Sequence, residues 1–367
     1  MRVLEVITGG EPGGAQRHVA ELTQGLRAAG HDVQVVHGGG RWLESAVGPT
    51  HYLPALTRRV TGGGDVAAVR ALVEVMRAWR PSVVHAHSSK AGLLARVAAR
   101  RVGVPAVYTA HGFVFTDPTR PAWERRLYRE LERWAGRRSA AVIAVSGSDA
   151  AWAAAAGVRR VAHIPNGVAL PAASWQPPHG PPWRVGFLGR FGPEKGLAVL
   201  IQAMAAAGAG WQLVVGGDGP GANEYRQAAA AQGVDAEFLG WQSHPAEFFA
   251  PLHALAIPSW KEGLPYTLLD ALAYGLPTIV TEVGAMGDVV RPLDPRLVVP
   301  AGDPQSLTMA IRGAAEGRGG SFAARARAHV VRHFDLAQMV TRTAQVLEEA
   351  SHEQGSEGRD ADGRRSH

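Results

Sequence analysis

Four short segments of the chain carry residue types that could do chemistry, and each follows an apolar run of the kind that forms a strand. Gly189-Arg190-Phe191-Gly192-Pro193-Glu194-Lys195-Gly196 sets a guanidinium fork and a compact ammonium on either side of one turn, a pair suited to a diphosphate. Such cations would stabilise a departing nucleoside diphosphate without a metal ion. Taken alone, the segment reads more simply as a solvated basic turn. In Glu262-Gly263-Leu264-Pro265-Tyr266-Thr267-Leu268-Leu269-Asp270, the first acid lies in a loop and the second inside an apolar helix pattern. Carboxylates so spaced can accept hydrogen bonds from sugar and ribose hydroxyls. Glu262 could equally be matching a helix dipole. Asp270 has no propensity reason to be where it is. Gly13-Gly14-Ala15 precedes the first helix pattern, where glycine lets a ligand approach the backbone and a helix N-terminus favours an anion. A plain tight turn explains most isolated glycine pairs. In Thr109-Ala110-His111-Gly112-Phe113, His111 could hydrogen-bond a sugar hydroxyl, although a lone histidine is more often structural.

The composition narrows the classes. With 46% hydrophobic and 19% charged residues over 367 positions, the chain can build two substantial cores. No apolar run reaches the ~18 residues of a membrane span, and the first residues make a poor secretory leader. The absence of cysteine excludes disulfide scaffolds, thiol nucleophiles and thiolate metal sites, and suits a cytoplasmic chain. Gly9-Gly10-Glu11-Pro12-Gly13-Gly14 is not a dinucleotide fingerprint, and no phosphate-binding GxxxxGK[ST] or HExxH pattern occurs. The 15 histidines look scattered, and most read as ordinary surface or loop residues. Charge is uneven: residues 1–168 carry +10, residues 169–350 carry −3, and the whole chain carries +6. A basic half suggests an anionic surface or phosphates as its neighbour, with Arg-rich composition as the plain alternative. Only three of the 38 basic residues are lysine: Lys195 lies inside one of the four segments, Lys261 directly precedes another, and Lys90 stands in HAHSSKAGLLARVAA at 85–99.

The elements that must hold these segments alternate. Strands are expected at 3–8, 31–37, 83–87, 106–110, 141–145 and 163–165, with helices at 16–29, 66–79, 91–101 and 123–137. The Pro-rich stretch that ends at 183 has no periodicity and reads as a linker. The pattern then restarts, with strands at 183–188, 212–216, 234–239, 254–258, 278–281 and 297–299. Helices are expected at 197–206, 224–232, 266–274, 304–316, 321–333 and 338–351. This predicts two α/β domains, each with a parallel sheet covered on both faces. The boundaries are 1–167 for the first domain, 168–183 for the linker, 184–337 for the second domain and 338–351 for a last helix returning to the first. Residues 352–367 carry a single apolar side chain, Ala361, and are expected to be disordered. Ligands of such folds bind at the carboxyl ends of the strands, here in a crevice between domains. Dehydrogenases, binding proteins and glycosyltransferases all share that build.

Together, GGA at 13–15, HG at 111–112, GRFGPEKG at 189–196 and E-x7-D at 262–270 resemble a family-4, retaining glycosyltransferase of the GT-B type. The resemblance covers roughly residues 1–350, and the set is specific although each motif alone is weak. HAHSSKAGLLARVAA at 85–99 and YTAHGFVF at 108–115 are similar to the subgroup that builds exopolysaccharide, capsule or lipid-linked oligosaccharide. The resemblance implies an α/β GT-B fold of two Rossmann-like domains with parallel sheets facing across an interdomain cleft. It implies a nucleotide-sugar donor, a UDP-sugar by subgroup, and a polyprenyl-diphosphate-linked or saccharide acceptor. No metal, cofactor or nucleic acid is implied. Carried over residue by residue, Arg190 and Lys195 would hold the donor diphosphate, with Gly13 and Gly14 helping. Glu262 would contact the transferring sugar, and His111 would contact and orient it. Asp270 would bind the ribose, where the family has a longer glutamate, and Asp288 likewise stands for a usual glutamate. Both keep the charge and bear on ribose geometry more than on activity. Leu264 would line the donor site, and Gly284 and Ala285 would present backbone amides there. Leu239 and Trp241 would border the base. Ser88, Ser89 and Lys90 would lie on the acceptor side.

Residues 120–138 form a helix pattern with Trp123, Leu127, Leu131 and Trp134 in a stripe among seven arginines. The stripe is expected to pack on its own sheet, and the arginines to face an anionic membrane surface at the inner side of the cell membrane. A non-catalytic relative that binds sugar nucleotides, and a UDP-sugar epimerase of similar build, are the competing readings.

Overall fold

The computed structural model describes residues 1–57, 61–315 and 320–363. The chain divides into two compact units.

The first unit comprises residues 1–115, 123–165 and 337–367. It runs β1 (Arg2–Ile7), α1 (Gly14–Ala28), β2 (Asp32–His37), α2 (Trp42–Val47), β3 (His51–Tyr52), α3 (Gly63–Trp79), β4 (Val83–His87), α4 (Ser89–Val102), β5 (Ala106–Ala110), α5 (Ala122–Gly136), β6 (Ala141–Ala144), α6 (Gly147–Ala155) and β7 (Val161–His163). Every strand pairs parallel, in the order β3-β2-β1-β4-β5-β6-β7. The order reverses at β1, which lies between β2 and β4, so the loops after β1 and β4 diverge and leave room above the strand ends. Helices cover both faces of the sheet, so its central strands are buried on both sides. Leu4, Val6, Val84, Ala86 and Tyr108 pack under α3 and α4, while Ile7 and Val35 pack under α1 through Val19.

The second unit holds residues 116–122 and 166–336. It runs β8 (Trp183–Leu188), α7 (Leu197–Ala207), β9 (Trp211–Gly216), α8 (Ala222–Ala231), β10 (Ala236–Gly240), α9 (Pro245–Phe249), β11 (Ala254–Ile257), α10 (Tyr266–Tyr274), β12 (Thr278–Thr281), α11 (Met286–Val290), β13 (Val298–Val299), α12 (Pro304–Ala315) and α13 (Gly320–His333). Its sheet is also parallel, in the order β10-β9-β8-β11-β12-β13. Here the order reverses at β8, beside β11.

Short elements escaped the sequence reading: α2, β3, α9 and α11 are each too brief to show a period. The expected linker is fastened rather than loose. Trp175 is buried, its amide donates to the Tyr274 carbonyl at 2.7 Å, and its indole N–H donates to the Leu252 carbonyl at 2.8 Å. The last helix, α14 (Leu336–Gly363), begins two residues early and continues past the expected end at 351 into the stretch expected to be disordered; residues 364–367 lie outside the described residues. It is fixed to the first unit by Arg160 to Glu349 at 3.2 Å and by Arg342 donating to the His163 carbonyl at 2.7 Å.

Candidate active site

In the second unit the functional segments meet at the carboxyl ends of the central strands. The turn after β8 is drawn tight by backbone hydrogen bonds from Lys195 to Gly192 and from Gly189 to Gly216. Gly196 closes it at φ +71°, where a Cβ would lie 1.9 Å from the Pro258 carbonyl oxygen, so only glycine fits. The loop after β11 is tied to this turn by the Trp260 amide donating to the Glu194 carbonyl at 2.8 Å. The side chains continue that link. Lys195 Nζ lies 2.6 Å from Glu262 Oε1, and the Ser259 hydroxyl donates to the same oxygen at 2.9 Å. Arg190 bonds Glu194 at 2.5 Å and keeps about half of its side chain exposed. Each cation therefore rests on a carboxylate in the free protein. An incoming diphosphate would find both cations already in place, with oxygen ligands to exchange. The glycine at 284 has the same steric origin: its φ is +57°, and a Cβ would sit 2.4 Å from the Glu262 carbonyl oxygen. Asp270 is half-buried on α10, between the buried Leu269 and Ala271.

The first unit carries a polar cluster inside its sheet. Glu5 on β1 pairs in register with His85 on β4, and His87 pairs with Thr109 on β5. The two-residue period of a strand puts all four on one face. All are 0% exposed. The Glu5 carboxylate accepts from His85 Nδ1 at 3.1 Å and from His87 Nε2 at 2.6 Å. His87 Nδ1 lies 3.2 Å from His111 Nε2, and His85 Nε2 lies 2.7 Å from the Thr109 hydroxyl. The ring of His18, from α1, meets His111 edge-on at 4.8 Å. Burial, and then the nearby rings of His85 and His18, hold the His87 imidazole well below its ordinary pKa. The nitrogens of His18, His87 and His111 come within 4.8 Å of one another, as do the donor atoms of Glu5, His85 and His87. Hydrogen bonds account for the proximity of Glu5, His85 and His87, and of His87 and His111, while His18 joins through ring contacts.

Comparison with known proteins accords with this geometry. The description Glycosyltransferase Family 4 matches residues 12–170, and Glycosyl transferases group 1 matches residues 182–316. The 2-deoxystreptamine glucosyltransferase of Streptomyces kanamyceticus is 30% identical over 71% of this chain and 76% of its own length. The chain belongs to glycosyltransferase family 4. The Escherichia coli UDP-Gal:α-D-GlcNAc-diphosphoundecaprenol α-1,3-galactosyltransferase is 26% identical over 65% of this chain and 68% of its own. Anabaena HepE, solved with UDP-glucose, superposes with a TM-score of 0.78 at 21% identity, covering 95% of this chain and all of that one. The fold is accordingly GT-B, with two Rossmann-like units.

Within the transferase, the sequence-expected residues fare unevenly. Arg190, Lys195 and Glu262 are brought together, and Gly284 packs against the backbone of Glu262. The amide of Ala285 donates to the Gly263 carbonyl at 2.9 Å, in the tight turn that puts it near Glu262. Leu264 is 3% exposed, and its carbonyl accepts from Asn166 at 2.6 Å. Leu239 near the end of β10 and Trp241 just after it stand exposed. Gly13 and Gly14 open α1, whose first turn carries no acid. The residues expected on the acceptor side are engaged within the first unit: Ser88 bonds Thr8 at 2.5 Å, Ser89 bonds Tyr108, and Lys90 pairs with Asp65 at 2.6 Å. Ser88 adopts φ +63°, a costly conformation for a residue with a Cβ.

The apolar stripe of α5 does not pack on its sheet. Trp123, Leu127 and Trp134 are 66%, 51% and 44% exposed, and the helix buries Glu132, Ala135 and Gly136 instead. The reason is a buried ion pair. Arg96 on α4 donates to Glu132 at 2.8 Å, and the small residues after it let the helix come close. Arg100, Arg101, Arg138 and Trp134 line a groove between α4 and α5. Among the described residues no helix is long and apolar enough to cross a membrane.

Proposed function

We propose that this family-4 glycosyltransferase is a retaining, metal-independent enzyme. It moves a hexosyl or N-acetylhexosaminyl group from a UDP-sugar to a polyprenyl-diphosphate-linked or saccharide acceptor in cell-surface polysaccharide synthesis. The observation that carries the proposal is the Lys195–Glu262–Ser259 contact beside Arg190 at the strand ends of the second unit. Arg190 and Lys195 take the diphosphate and its growing charge as the bond from the anomeric carbon to the phosphate oxygen breaks. Two fixed cations supply what a divalent ion supplies elsewhere. Glu262, released from Lys195, accepts from a hydroxyl of the sugar. Asp270 accepts from the ribose, and Leu239 with Trp241 flanks the base. Gly13 and Gly14 offer a second anion-favouring helix end, and His111 contacts the sugar. Ser88, Ser89 and Lys90 shape the acceptor side through the loop they fix. A UDP donor and a lipid-linked acceptor are supported by the E. coli relative's name and by the UDP-glucose in HepE. The exposed Trp123, Leu127 and Trp134, set among arginines, suit an anionic membrane at the inner face of the cell.

The test begins with thermal melts in the presence of UDP, GDP, ADP and their common sugar conjugates, with and without EDTA. A ligand at 100 times its dissociation constant adds about 2.7 kcal/mol of stability. Stabilisation by UDP and one UDP-sugar, indifferent to EDTA, is expected. Lys195→Ala and Glu262→Ala should then abolish transfer while the melts stay cooperative. Full activity in either variant would sink the proposal. Donor binding with neither transfer nor donor hydrolysis would make the chain a non-catalytic relative. Release of a free epimer without an acceptor would make it an epimerase.

A further inference from the structure

The hydrogen bonds inside the first sheet form one line: Thr109, His85, Glu5, His87, His111. Stability does not ask for it. Apolar side chains at these positions would suit a parallel sheet, and a carboxylate with no exposure is costly unless fully hydrogen-bonded. The line ends at the one residue of the unit assigned to the sugar.

We infer that Glu5 and His87 are positioning residues for His111. The buried carboxylate fixes the tautomer of His87, and His87 fixes the ring and tautomer of His111. The proton positions follow from donor and acceptor capacity. An ionised carboxylate only accepts, so His85 Nδ1 and His87 Nε2 each carry a proton. The titratable groups around His87 are Glu5 from β1, His85 from β4, His18 from α1, and His111. With His87 neutral, its Nδ1 holds a lone pair and must accept, so His111 Nε2 must donate. In a neutral His111 this leaves the lone pair on Nδ1, the nitrogen that the line does not use. That atom accepts from a hydroxyl and does not donate. The near-parallel His87 and His111 rings, 25° apart with centroids at 5.4 Å, hold the orientation. The inference rests on the reading that His111 meets the sugar, and the experiment separates the two.

The variants are Glu5→Gln and His87→Phe, the latter leaving Glu5 paired with His85 should the former fail to fold. Side-chain 15N spectra of the purified, ligand-free protein should show His87 and His111 as single Nε2–H tautomers. In His87→Phe, His111 should become a tautomer mixture. Turnover of the UDP-sugar that stabilises the wild type should fall about 10–100-fold in kcat, with donor KM within about twofold. In Glu5→Gln the acidic limb of the kcat profile should move to lower pH, because an anion that favours histidine protonation is gone. A merely structural residue would lower stability without moving that limb. An unchanged His111 spectrum in His87→Phe overturns the inference, as does stoichiometric zinc in the wild type that His87→Phe loses. A changed spectrum with unchanged kcat keeps the relay and overturns the assignment of His111 to the sugar.

Discussion

Asp270, proposed to hold the ribose, keeps its charge on a short arm. It sits half-buried on α10, where a longer acid is usual in the resembling family. Asp270→Ala should raise donor KM about tenfold, the loss of one charged hydrogen bond, with kcat little changed. Asp270→Glu should keep or improve KM. A KM unmoved by the alanine, in initial-rate measurements, would remove Asp270 from the donor site. Gly284 makes a steric claim. An added Cβ meets the Glu262 carbonyl at a φ that L-residues avoid, so Gly284→Ala should cost about 1–2 kcal/mol and weaken donor binding, read from melts with and without UDP. The segments that carry Arg190, Lys195 and Glu262 to the strand ends of the second unit were legible because each motif is contiguous in sequence. The histidine line was not, because it depends on the register of three strands. Its one signal was polar letters at every second position of an apolar strand, His85 and His87 in VVHAH, with Glu5 alone in VLEVI. Scattered along the chain, these residues looked ordinary.

The element α5 carries the membrane argument. Its bounds were legible within a residue, but the direction of its faces was not. An apolar stripe normally turns inward, and here a buried Arg96–Glu132 pair with Ala135 and Gly136 takes that place. Sequence periodicity cannot say which side a buried ion pair will claim. Two measurements follow. Trp123→Ser with Leu127→Ser should leave the melting temperature within a degree or two and reduce sedimentation with vesicles containing anionic phospholipid. Equal binding by wild type and double variant would refute the membrane reading. Glu132→Ala should destabilise the first unit by about 3–5 kcal/mol, since it strands a buried guanidinium. The 168–183 stretch was legible as aperiodic, yet Trp175 anchors it through two carbonyls, contacts that no local pattern encodes.

At the scale of the whole molecule, alternation of strands and helices was enough to foresee two parallel sheets, because crossover connections leave few arrangements. Burial of three histidines predicts a pH response. His87 in the first unit and His253 and His329 in the second all have pKa values below the ordinary 6.5, each mainly through burial. An unfolded chain takes up protons at these rings as the pH drops through 6.5, and the folded chain does not. The stability they contribute is therefore complete above 6.5 and is lost as the pH falls from there toward the lowered folded values. The fully buried His87 sets a slope of at most about 1.4 kcal/mol per pH unit. Melting temperatures taken from pH 7.5 to 5 should fall on the acid side, and His87→Phe should flatten the part of the transition that belongs to the first unit. A first-unit transition of unchanged slope in that variant would mean that His87 takes its proton in the folded state, and the neutral ring required to hold His111 would not exist at those pH values.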